Sequence, residues 1–360
     1  MIHAERLAPL RARSQLIHRP SGRAHPADVL RAIGGAQSQE PRAGRLQVRA
    51  RSRGLTATEL ERARVEERSI MRHWVMRMTV HLFPAEDFGW LAPIFADRIK
   101  GFSLRRLAAL GVSDTARDRG LAAARRALEA DGGLTRSEAL RLAAEAGFPA
   151  SVQTRTHLAM LLVVGGGACI GPDEGRESVF VTTREWLGDP ERRDRPEALA
   201  ELARRYFTAF APATERDFSF WAGLPLGECR VGMERIAPEL REVTIPGATA
   251  FAPRGWQARS PRSPVVRLLP AFDTYLMGYG ERMHAVDQTG EKRILPGGGV
   301  LRPTICVDGR LAGVWSNKRS GSRLKVALDP FEPLDDEVMD ALSEDVADIG
   351  RFEGAEAALE

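Results

Sequence analysis

Gly34-Gly35-Ala36-Gln37-Ser38-Gln39-Glu40-Pro41 separates two helical stretches. The apolar run Ala27, Val29, Leu30 and Ile33 predicts a short helix that stops at the glycine pair, and Pro41 opens the next helix. The residues between are therefore not expected to be regular helix. In a continuous helix, positions two apart point to nearly opposite sides, whereas outside it they can share a face. Gln37 and Gln39 can then converge on one small polar object such as a water molecule. A side-chain amide carries one acceptor, two donors and no charge, so a pair can orient water without being protonated. Two such glutamines can equally cap a helix end or face solvent.

Composition narrows the class. A chain of 360 residues with 43% hydrophobic content can bury a substantial core, and its length suggests two or three compact units. No run of about eighteen apolar residues and no basic-then-apolar leader is found, so a soluble, cytoplasmic protein without a membrane partner is expected. Cys169, Cys229 and Cys306 lie far apart, with no Cys-x-x-Cys and no histidine at ligand spacing. No disulfide framework, metal or other cofactor is indicated, and the cysteines read as buried or free thiols. Of 52 basic residues only Lys100, Lys292, Lys318 and Lys325 are lysines, a bias that GC-rich codon usage can produce. The net charge of +4 and pI near 9.2 permit an acidic polymer as partner without demanding one. Few lysines also means few candidates for a Schiff-base nucleophile.

Taken in order, residues 5 to 16 read as a weak amphipathic helix, and Pro26 starts the helix that ends at Ile33. The helix from Pro41 to about Arg53 places Arg42, Arg45, Arg49 and Arg53 at steps of three and four, a basic stripe that is either a DNA contact or a solvated face. Thr56-Ala57-Thr58-Glu59 reads as a cap before a third helix, and Ser69 to Phe83 as a hairpin ending at Pro84. Three helices followed by a wing is the order of a winged helix-turn-helix. A new helix containing Phe88, Leu91 and Phe95 follows, then a second cycle: helices Asp114 to Ala130, Thr135 to Ala146 and Ser151 to Val164, with wing strands near 168–170 and 178–182. Gly165-Gly166-Gly167 lacks a following Gly-Lys-Ser/Thr and reads as the turn into that wing. A third cycle comprises helices from Glu197 to Phe210, Thr214 to Trp221 and Leu226 to Ile236, with strands Glu239 to Ile245 and Ala250 to Gln257.

Pro261 to Tyr279 is expected to be mostly extended and 284 to 299 a Gly-rich loop. Leu301 to Val307, Arg310 to Trp315 and Arg323 to Leu328 read as strands, with Asp308-Gly309 a hairpin turn. Ser316-Asn317-Lys318-Arg319-Ser320-Gly321-Ser322-Arg323, between the last two strands, reads as a polar, basic hairpin tip that can enter a DNA groove or hold phosphates, with Lys318, Arg319 and Arg323 as contacts, or as an ordinary solvated loop. Residues 334 to 349 read as an acidic helix, whose charge argues against its touching DNA. The fold class expected is α+β, mainly helical: three tandem winged helix-turn-helix units around a concave DNA-binding channel, with a C-terminal β-rich portion. The segments are 1–95, 96–190, 191–260 and 261–360.

The Gln37-Ser38-Gln39 stretch, Trp74-Val75-Met76-Arg77-Met78-Thr79-Val80-His81-Leu82-Phe83-Pro84-Ala85-Glu86-Asp87, Leu268-Leu269-Pro270-Ala271-Phe272-Asp273-Thr274-Tyr275-Leu276-Met277-Gly278-Tyr279 and Val307-Asp308-Gly309-Arg310 together resemble the winged-helix DNA glycosylases. The resemblance runs from about Leu7 to Leu328. Its most specific part is the glutamine-x-glutamine motif of the AlkZ-like branch, against glutamine-x-aspartate in the YcaQ-like branch. It implies a monofunctional DNA glycosylase of base excision repair that acts on alkylated purines in double-stranded DNA. It also implies bulky guanine-N7 adducts as substrates, including interstrand crosslinks such as those of azinomycin B, and hence antibiotic self-resistance.

Alkylation at N7 or N3 makes a purine cationic and weakens its glycosidic bond, so the base departs without a strong general acid. What remains is to stabilise an oxocarbenium-like sugar and to hold water at the anomeric carbon. Gln37 and Gln39 are the candidate catalytic residues, and Arg42, Arg45, Arg49, Lys318, Arg319 and Arg323 the candidate DNA contacts. Glu40, Asp273, His81 and His157 each have an ordinary structural explanation, Asp273 as a link between the last segment and the others. A monomer indifferent to sequence, with salt-sensitive binding, is expected. The rival reading is a transcriptional regulator of tandem winged helices without enzymatic activity, which would normally dimerise on half-sites.

Overall fold

The computed structural model describes residues 1–18, 25–175, 177–259 and 264–360. Two compact units form, one from Met1–Glu61 with Leu199–Glu360 and the other from Arg62–Ala198.

In the first unit, helix Pro26–Ile33, the two-residue strand Ala36–Gln37 and helix Pro41–Ala50 follow one another, and helix Ala57–Val65 begins. The expected cap of that last helix is present: Thr56 Oγ1 accepts from Glu59 N and the Glu59 carboxylate accepts from Thr56 N. Helices Arg195–Phe210, Glu215–Ala222 and Leu226–Arg235 with the hairpin Leu240–Ile245/Ala248–Pro253 make the cycle expected third in the chain. Thr214 and Asp217 cap its middle helix reciprocally, and a single bridge pairs Ala213 with Phe251 of the hairpin.

The C-terminal portion of this unit is a five-stranded sheet. Its order is Glu356–Leu359, Arg323–Pro330, Arg310–Ser320, Thr304–Val307 and Val266–Leu269. Helix Asp336–Glu353 supplies Val338, Leu342, Val346, Ile349 and Phe352 to a core shared with Leu268, Ile305, Trp315, Leu324 and Val326 of the sheet. Leu46 of helix Pro41–Ala50 enters the same core, so the helix that follows the glutamines is packed directly on the β-rich portion.

Three expectations for this region are corrected. The hairpin tip expected over 316–323 is shorter: the strands run on through Lys318↔Lys325 and Ser320↔Arg323, leaving only Gly321 and Ser322 as the turn, with Gly321 at φ 59°. Polar residues on both sides of these strands hid their alternation. The segment 284–299 contains helix Gln288–Ile294, capped by Asp287, whose carboxylate accepts from Gly290 N. Gly290 permits close packing rather than a turn, since a Cβ there would lie 2.6 Å from Val286 and 2.8 Å from Phe331. Within 261–279 only Val266–Leu269 is strand, and Asp273 caps a short helix, Thr274–Met277; residues 260–263 lie outside the described part.

In the second unit the hairpin Ile70–Trp74/Val80–Pro84 leads into helix Phe88–Ala109. Helix Asp114–Asp131, strand Gly133–Thr135, helices Arg136–Glu145 and Val152–Val163 and the hairpin Ala168–Glu174/Glu177–Thr182 then form the second cycle. The short strand pairs with the second hairpin strand, which gives a three-stranded sheet. Leu107, Leu121, Ala143, Phe148, Leu158 and Leu161 form its core. Among the described residues no helix is long and apolar enough to cross a membrane.

Candidate active site

Helix Pro26–Ile33 ends on Gly34 in the left-handed region (φ 75°), and Gly35 follows at φ 86°. Side chains other than glycine rarely adopt this conformation, and at Gly34 there is no room for one: a Cβ would lie 3.2 Å from the Phe210 ring and 3.3 Å from Trp221. The chain then becomes extended through Ala36 and Gln37. The strand stops there: Ser38 is irregular, and Gln39 and Glu40 form a bend before the next helix. Ser38 is buried and turned onto Gly44, where a Cβ would lie 2.5 Å from its Oγ and 2.6 Å from its Cβ. Outside a helix, residues two apart can share a side, so the segment permits Gln37 and Gln39 to face one object while Ser38 is turned onto Gly44. Gln37 is 5% exposed and Gln39 is exposed, so the pair spans from the interior to the surface.

Four fully buried polar side chains hold this segment at both ends. Gln15 Nε2 donates to Ile33 O (3.3 Å) and Ala209 O (2.9 Å). Gln47 Nε2 donates to Gln37 O (2.8 Å), while its Oε1 accepts from Thr274 N (3.0 Å). The Arg51 guanidinium forks onto Asp273 (2.8 and 2.6 Å) and also donates to the main-chain oxygens of Gln15 (3.0 Å) and Gln47 (3.2 Å). Asp273 therefore neutralises a buried arginine and caps a helix, a structural use of its carboxylate. Glu40 is exposed at the N-cap of helix Pro41–Ala50, with no side-chain cap bond.

The basic residues divide. Arg49 is 1% exposed, paired with Asp345 at 2.8 Å and donating to Leu268 O at 2.8 Å, so it is corrected from a DNA contact to an interior ion pair. The spacing misled because this helix is buried on nearly every side and has no single solvent face. Arg42 forks onto Glu353 (2.6 and 3.1 Å) and donates to Asn317 of the basic hairpin (3.0 Å). Arg319 also approaches Glu353, at 3.6 Å. Arg45 is half-buried and has no ion-pair partner among the described residues. Lys318 and Arg323 are exposed, the latter 3.5 Å from Glu356.

Burial lowers His73 to about 4, and burial with the nearby Arg77 charge lowers His81 to about 3, so both are neutral. Burial, then Arg106, lowers His157, which packs against the Phe102 ring. All three cysteines are free and buried, with thiols pushed up to about 12. No group of three or more His, Cys, Asp or Glu side chains among the described residues could hold a metal ion.

Sequence reading missed Gly44, Gln15, Gln47, Arg51 and Glu353. The available signals were a glycine inside a helix and polar residues at apolar helical positions, each common in proteins for unrelated reasons. The family described as DNA glycosylase AlkZ-like matches residues 30–352. A curated relative from Streptomyces sahachiroi, described as an interstrand DNA cross-link repair glycosylase, is 26% identical, with 91% of each chain covered. The solved structure of Streptomyces sahachiroi DNA glycosylase AlkZ shares the fold, with a TM-score of 0.79 at 24% identity over 100% of this chain and 99% of that one. A family match that runs from the helix before the glutamines to the last helix of the sheet, on a chain of the same fold, makes this protein a DNA glycosylase of the AlkZ-like family.

Proposed function

We propose that the enzyme hydrolyses the N-glycosidic bond of N7-alkylated purines in duplex DNA, as a monofunctional glycosylase acting as a monomer, with Gln37 and Gln39 directing the attacking water. The observation that supports this reading is the non-helical Gln37-Ser38-Gln39 segment, clamped through Gln47 at the Gln37 carbonyl, with Ser38 turned onto Gly44 and a glutamine on either side of it. One amide oxygen accepts a hydrogen bond from the water and the second amide sets its direction. The water oxygen bonds to the anomeric carbon, the glycosidic electron pair leaves with the base, and the water proton is released, giving a neutral alkylpurine and an abasic site. A base that already carries positive charge needs no acid, which matches two uncharged side chains in this position. Duplex binding is assigned to Arg45, Lys318, Arg319 and Arg323, with Arg42 bracing the hairpin that carries three of them. Interstrand crosslinks fall within the proposed range because the curated relative is described as repairing them. Family membership removes the regulator as the chain's function.

The test is single-turnover release of N7-methylguanine from duplex DNA, read by alkaline cleavage of abasic sites with no metal or cofactor added. Gln37→Ala and Gln39→Ala should each slow release by roughly 10²-fold or more, the scale of losing one preorganised hydrogen bond in a desolvated site. Near wild-type rates from both would refute the assignment.

A further inference from the structure

We infer that Gln47 is a positioning residue for the glycosylase reaction, acting through Gln37 rather than touching substrate; this rests on the proposed roles of Gln37 and Gln39. Gln47 is fully buried in helix Pro41–Ala50, and both ends of its amide are committed. Its Nε2 donates to the carbonyl of Gln37, and its Oε1 accepts from the amide of Thr274, the first residue of the short helix capped by Asp273. Its own carbonyl receives Arg51, which is locked by two bonds onto Asp273. The backbone bearing the water-directing amide is thus tied by a single side chain to a buried ion pair on two other segments. Gln15 performs the corresponding task at Ile33, before the glycine pair. Between those two anchors the segment has glycines at 34 and 35, which supply backbone freedom for the side-chain anchors to limit.

The donor and the acceptor of Gln47 can be separated chemically. In Gln47→Glu an ionised carboxylate still accepts from Thr274 N but cannot donate to Gln37 O, whereas its protonated form can do both. A carboxyl group buried against a carbonyl has its pKa raised, which brings this switch toward neutral pH. Gln47→Met keeps the volume and removes both bonds.

Single-turnover release of N7-methylguanine is measured from pH 5.5 to 8.5 for wild type, Gln47→Met, Gln47→Glu, Gln37→Ala and Gln39→Ala, alongside duplex affinity and thermal melting. Gln47→Met should be slower by roughly 10- to 10²-fold at every pH, with duplex affinity unchanged, as expected for a sub-ångström to 1 Å misplacement. Gln47→Glu should approach the wild-type rate at the acid end and fall away as pH rises. A purely structural glutamine would lower melting without that pH-dependent rate ratio. Gln47→Met within twofold of wild type, or a Gln47→Glu ratio flat with pH, overturns the inference. If Gln47→Met does not fold, the Gln47→Glu profile decides, and failure of both to fold at any pH assigns Gln47 to the fold alone. Fast Gln37→Ala and Gln39→Ala enzymes instead overturn the underlying catalytic reading, whatever Gln47 does.

Discussion

Replacing Gly44 by alanine adds one methyl group at the point where helix Pro41–Ala50 meets the motif. That methyl carbon would stand 2.6 Å from Ser38 Cβ, 2.5 Å from its Oγ and 3.1 Å from its Cα. Carbon atoms rest at about 3.5–4.0 Å, so helix and segment must part by about 1 Å. Relief by side-chain rotation is closed, because Cβ and Cα are among the clashing atoms. Overpacking of this size costs about 1–3 kcal/mol, and a 1 Å displacement of positioning groups lowers the rate about 10²-fold. Gly44→Ala is therefore expected to melt somewhat lower, to bind duplex DNA as before, and to release N7-methylguanine about 10²-fold more slowly in single turnover. Ser38→Gly removes two of the three clashing atoms, so Ser38→Gly/Gly44→Ala should recover most of the rate relative to Ser38→Gly alone. A Gly44→Ala enzyme within threefold of wild type, or a double variant slower than Gly44→Ala, would show that this contact does not set the motif's position.

Three further expectations follow from burial. Lys318→Ala, Arg319→Ala and Arg323→Ala should each reduce the salt slope of duplex binding by about 1 with little change in melting, since all three side chains are exposed. Arg49→Ala should instead leave the slope unchanged and cost about 3–5 kcal/mol by stranding Asp345, and a folded variant with a reduced slope would contradict its interior role. His73 and His81 have folded pKa values of about 4 and about 3, below the unfolded value of about 6.5. Below that pH the unfolded chain binds more protons, so stability is full above pH 6.5 and falls on acidification by up to about 1.4 kcal/mol per pH unit for each histidine. Denaturant titrations between pH 6.5 and 5 should show this loss in wild type and a much flatter profile in His73→Phe/His81→Gln; equal profiles would count against buried neutral rings.

Read alone, the chain disclosed the break after Ile33, the restart at Pro41, the order of helices and hairpin strands over 114–182 and 195–253, and the Asp308-Gly309 turn. These are local matters: glycine and proline limit the backbone, and the apolar period reports which face of an element is covered. The same reasoning marked Gln37 and Gln39, because residues two apart can act together only where a helix has stopped. Which arginines meet solvent was settled by tertiary packing. Arg49 and Arg45 have equivalent spacing, yet Arg49 lies against Asp345 because Leu46 carries that helix into the core of the C-terminal sheet. The extension of the basic strands to Ser320 and the final strand at Glu356–Leu359 depended on partners remote in the chain. The anchoring of the motif belongs to the same class. Gln15, Gln47, Arg51 and Asp273 are separated by up to 258 positions, and a hydrogen bond between such residues has no periodic trace in sequence, because it exists only once the chain has brought them together.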